Sequence, residues 1–202
     1  MFATSTARLA AKLADTEFNS GCEALVAAKS GHFTLRQRDF LLRVAHDEFH
    51  HARLFGAIAT CESDLRAFRG IGDESAGAPD ARIFFSNLVV GESAAGFAFC
   101  LYRTTWSALR AAIPEFDAIQ RDEAVHRFGA LLHLRRICPN RTLFHVVLAK
   151  ARVRLFFRGA GAMITAGLSA GIRILATAVM LAFWPLLVLS ARRRIGRHRE
   201  QT

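Results

Sequence analysis

Apolar residues recur along this chain at three- and four-residue intervals, and no strand-like alternation persists. Leu41, Val44, Ala45, Ala52 and Phe55 share one helical face, and Phe85, Leu88, Val89, Ala95 and Phe99 share another. Phe116, Ile119 and Ala130 belong to a third. The pattern predicts an all-α protein. Lys29-Ser30-Gly31-His32 reads as the first turn, with Gly31 ending one helix and Thr34-x-x-Gln37 forming a capping box for the next. Residues 63–79, rich in small and acidic side chains, read as a long connection. A second turn is expected at 104–107, which makes Pro114 an early kink in the fourth helix, although Pro114 also reads as a first helical residue.

Each of these apolar faces carries a glutamate, and the glutamates repeat. Glu48-Phe49-His50-His51 and Glu123-Ala124-Val125-His126 are both Glu-x-x-His, 75 residues apart. Glu17 precedes the first motif by 31 residues and Glu92 precedes the second by the same 31. Gly21 and Gly96 follow those two glutamates by four positions. Residues i and i+3 of a helix share a face, so Glu48 with His51, and Glu123 with His126, can reach one point. Surface charge on amphipathic helices is the competing reading. It leaves carboxylates in the middle of apolar stripes, which is costly unless something neutralises them.

Glu23 competes with Glu17. Two antiparallel helices bring residues level only at similar distances from their turn. Glu17 lies 14 residues before Gly31 and Glu48 lies 17 after it, whereas Glu23 lies only 8 before. The second imbalance is about 13 Å at 1.5 Å per residue, so Glu17 is favoured. The same test places the second turn near Ser107, since a turn at Ile113 would leave Glu92 and Glu123 about 16 Å out of level.

Four glutamates and two histidines form a hard, oxygen-rich set that suits a pair of iron ions, with manganese as the alternative; structural zinc would favour thiolates. Together, these six residues over roughly 5–138 resemble the ferritin-like di-iron carboxylate superfamily, and among its members the small bacterial ferritin-like or rubrerythrin-like oxidases and oxygenases. The resemblance implies a four-helix bundle with one long crossover and the metal ligands Glu17, Glu48, His51, Glu92, Glu123 and His126. It implies that Asp47 and Asp122, each just before a motif glutamate, hydrogen-bond a ligand histidine and orient it. It also implies an oxidoreductase that takes O2, an electron donor and an unidentified apolar substrate, with a homodimer left open. A membrane-tethered ferroxidase or iron-handling protein, or a rubrerythrin-like peroxide reductase, is the alternative. Phe55 stands where the ribonucleotide reductase small subunit carries its radical tyrosine, which disfavours that relative. His46, His50 and His133 read as surface or packing residues, and His32, His145 and His198 join no constellation.

Charge divides the chain into a bundle over 1–138 and a basic tail over 139–202. The first part holds 16 Lys and Arg against 16 Asp and Glu; the second holds 11 against 1. Cys22, Cys61, Cys100 and Cys138 form no C-x-x-C, which excludes a rubredoxin-type iron centre and fits a reducing compartment. No signal-peptide layout opens the sequence. In the tail, residues 174–191 are an uncharged run of 18 between Arg173 and Arg192-Arg193-Arg194, the minimum for a membrane span. A buried helix is the competing reading. The apolar stretch 159–172 could pair with it as a hairpin, slightly favoured over a single span because both basic flanks then meet the cytoplasmic surface. The expected location is therefore membrane-associated, with the bundle on the cytoplasmic side. Lys150, Arg152, Arg154 and Arg158 interleave with Val153, Leu155, Phe156 and Phe157, which favours membrane contact over nucleic acid.

Overall fold

The computed structural model describes residues 2–59, 80–105 and 111–165, and side chains over 6–59, 80–96 and 111–155. The described residues are all-helical: α1 (Phe2–Lys29), α2 (Leu35–Gly56), α3 (Ala81–Thr105), α4 (Phe116–Ile137) and α5 (Arg141–Thr165). The expected connection over 63–79 and the apolar run 174–191 lie outside the described residues. Among the described residues no helix is long and apolar enough to cross a membrane. Two compact units can be distinguished, Met1–Ala81 with Ala98–Asp122, and Arg82–Phe97 with Glu123–Thr202.

In the first unit, α1 and α2 form an antiparallel pair. Glu17 approaches His51, the Phe18 ring meets Phe49 with centroids 5.4 Å apart, and the Arg38 Nε–H donates to the Ala28 carbonyl at 3.0 Å. As one partner's number rises, the other's falls. The turn between these helices follows from local chemistry. Gly31 adopts φ +74°, which only glycine enters without a Cβ clash. Thr34 then caps α2: its hydroxyl accepts from the Gln37 N–H at 3.4 Å, and its own N–H donates to Gln37 Oε1 at 2.8 Å. Gly21 lets the helices approach, since a Cβ there would stand 2.9 Å from the Phe49 ring. The buried apolar face of α2 consists of Phe40, Leu41, Val44, Ala45, Ala52 and Phe55.

In the second unit, α3 and α4 run antiparallel. Phe85 stacks on His133 with centroids 5.1 Å apart, and a Cβ on Gly96 would lie 3.1 Å from Arg127 Nη1. Asn140 caps α5 by accepting from the Thr142 and Leu143 N–H groups, and the Arg135 guanidinium lies 5.3 Å over the Phe144 ring.

Pro114 departs from the sequence expectation. It stands with Glu115 in a turn, and α4 starts only at Phe116, whose N–H donates to the Ile113 carbonyl at 3.1 Å. Proline bars the residue before it from helical geometry, so Ile113 leaves the helix and the proline marks a boundary instead of a kink.

Candidate metal centre

Helix periodicity turns each ligand-type side chain inward. Glu48 and His51, three residues apart on α2, are 1% and 0% exposed; Glu123 and His126, three apart on α4, are both 2% exposed. Glu17 on α1 and Glu92 on α3 are buried as well. Glu23 is exposed and belongs to no such group. In the first unit, single donor atoms of Glu17, Glu48 and His51 lie within 4.8 Å of one another, and in the second unit those of Glu92, Glu123 and His126 do the same. Donor atoms each about 2.1 Å from one ion span up to about 4.2 Å, so either group could hold a metal ion after small shifts.

One histidine is visibly oriented. His51 Nε2 lies 3.2 Å from Asp122 Oδ2, a residue 71 positions away in the sequence. With Nε2–H donated to that carboxylate, Nδ1 carries the lone pair, and Nδ1 is the atom facing Glu17 Oε2 at 4.0 Å. The sequence pointed to an aspartate orienting a ligand histidine; the structure pairs Asp122 with the histidine of the other motif. Asp47 meets His46 at 3.2 Å on the exposed side of α2. His133, read as a packing residue, does pack, against Phe85.

The chemistry of the donors agrees with a metal. Glu48 Oε2, His51 Nδ1, Glu123 Oε1 and His126 Nδ1 are buried atoms that make no hydrogen bond, although each of these residues has other partners. Carboxylates as buried as Glu48 and Glu123, 1% and 2% exposed, are costly to keep ionised without a cation. Two residues beside the ligands had no contact assigned to them from the sequence. Ser93, next to Glu92, is buried and donates to the Val89 carbonyl at 2.6 Å, and Arg127, next to His126, lies over Gly96. Neither belongs to a spacing motif, so only the packing reveals them.

No protein-family model, curated protein or solved structure matches this chain. The functional reading therefore stands on the residues themselves.

Proposed function

We propose that the helices form a ferritin-like bundle around a pair of iron ions, with manganese as the alternative. On this reading the chain is a membrane-associated oxidoreductase that uses O2 to oxidise or hydroxylate an apolar substrate. The carrying observation is that each unit buries its own Glu/Glu/His group, Glu17 with Glu48 and His51 in the first and Glu92 with Glu123 and His126 in the second, with donor atoms within 4.8 Å. Glu17, Glu48 and His51 would hold one ion, and Glu92, Glu123 and His126 the other. Four carboxylates offset two divalent cations in charge, which removes the cost of burying them.

When bound, such a metal pair supplies reducing equivalents and Lewis acidity for reaction with O2. The chain's own residues do the rest. Asp122 would hold the His51 ring by accepting from Nε2–H, which turns Nδ1 to the donor group. Leu41 and Phe55, buried on α2 together with Glu48 and His51, would keep bulk water from those two donors. Hydroxylation of a C–H bond consumes O2, two electrons and two protons and releases one water, so an electron donor is a required partner. The membrane half of the proposal rests on the apolar run 174–191 and its basic flanks, which favour a cytoplasmic position for the helices.

The test is metal content of the full chain after detergent extraction, beside Glu123→Ala. About two irons per chain, lost in the variant, is the expected result. A wild-type chain that stays metal-free after reconstitution with Fe²⁺ and Mn²⁺ overturns the reading. Many irons per chain would replace oxidation with storage.

A further inference from the structure

We infer that the outward face of α5 is a docking surface for an anionic lipid bilayer. The inference deepens the membrane half of the proposed function and is independent of the metal centre. Leu148 and Ala151 are buried, 6% and 1% exposed, and mark the inward side of α5. On the opposite side Val146 and Val153 are 43% and 55% exposed, and Ala149 is exposed between them. At 3.6 residues per turn these three fall within about 60° of one another, an apolar line facing out. Lys150 and Arg154 flank it on one side and Arg141 on the other, while Arg152 is partly buried with its Nε covered. Leu143, 38% exposed, extends the line's edge. Residues 141–165 contain five Lys or Arg and no Asp or Glu, although the chain up to residue 138 balances its charges.

An apolar line with cations along both edges matches a bilayer interface. The valines enter the acyl boundary while the long basic side chains reach up to headgroup phosphates. The other occupants fit less well. A second copy of this face would set cation against cation with no acid to meet them. The uncharged run 174–191 would cover the valines and leave the flanking charges unmatched. A nucleic acid would meet the charges and gain nothing from the apolar line. The chain beyond α5 adds six Lys or Arg and one acid over 166–202, so the electrostatic attraction continues in the same sense.

The experiment places a photoreactive phenylalanine analogue at Val153 in the full chain. The chain is reconstituted into vesicles of phosphatidylcholine alone or of phosphatidylcholine with phosphatidylglycerol, irradiated, and its adducts are identified by mass spectrometry. The same analogue at Leu42, 47% exposed on α2, is the control. Expected are lipid adducts at position 153, enriched in the anionic vesicles, absent at 42, and reduced about tenfold or more by Lys150→Glu with Arg154→Glu. Adducts to residues 174–191 or to a second chain, lipid adducts indifferent to both lipid charge and the reversals, or no adduct at all, would each overturn the inference. Metal content is read on the same samples. Lipid adducts on a metal-free chain sink the metal centre alone, and a metal-loaded chain without lipid adducts sinks the docking surface alone.

Discussion

Asp122 is a carboxylate whose side chain is 42% exposed at the oxygen-bearing end of a contact with a fully buried imidazole. Under the proposed metal centre its value would be orientation, because His51 would offer Nδ1 to an ion while Nε2 holds the proton. Asp122→Ala is expected to leave the helices intact and weaken metal affinity by roughly 10- to 100-fold, measured by competition with a chromogenic chelator. Unchanged affinity would mean that the contact is incidental. A contact between a motif aspartate and a histidine was legible in the sequence. Which histidine it meets was not, because that depends on which helices face each other. Cys22 offers a second test. Burial, and secondarily the Glu23 carboxylate, push its thiol above the ordinary range. The thiolate fraction at a given pH is therefore lower than for a free cysteine, and the alkylation rate against pH should be displaced upward. Glu23→Gln removes the smaller cause, so it should move the profile part of the way down. No movement would assign the whole shift to burial.

At the scale of elements, the α1–α2 hairpin combines purely local instructions with one that is not local. The turn chemistry of Gly31, Thr34 and Gln37 could be read directly, since every bond in it spans four residues or fewer. Thr34→Ala should cost about 1 kcal/mol in chemical unfolding. The two glycines four residues after Glu17 and Glu92 look equivalent in the sequence, and the structure separates them. A Cβ at 21 meets a packed aromatic ring, while one at 96 meets the flexible end of an arginine. Alanine gains up to about 1 kcal/mol over glycine in a helix. Gly96→Ala should thus match or exceed the wild-type melting temperature, and Gly21→Ala should fall below it through overpacking of about 1–3 kcal/mol. Equal shifts in thermal unfolding would contradict this distinction. Pro114 shows the limit of reasoning from register alone. The level rule places a turn at 104–107, of which 106 and 107 lie outside the described residues, and the kink it assigned to Pro114 is instead a helix boundary, because the proline ring disfavours helical geometry at Ile113.

For the whole molecule, the dominant energetic fact is four buried glutamates among apolar side chains. An ion bound only by the folded state stabilises it by mass action, about 2.7 kcal/mol when free metal is 100 times the dissociation constant. Removing metal with a chelator should therefore lower the melting temperature, and restoring Fe²⁺ or Mn²⁺ should raise it again in a concentration-dependent way. A melting temperature indifferent to both additions would mean that the buried carboxylates are neutralised by protons or by neighbouring side chains instead.

Helix content, the inward face of each helix, the first turn and the six-residue donor pattern all follow from periodicities of three to four residues. Such periodicities are local and survive in a one-dimensional string. Packing was needed for the reach of Asp122 to the opposite motif's histidine, and for the approach of donor atoms within each unit, Glu17 to Glu48 and His51 and Glu92 to Glu123 and His126, to within 4.8 Å. Those distances join residues tens of positions apart. They depend on how neighbouring helices pack, to which a three-residue spacing is blind.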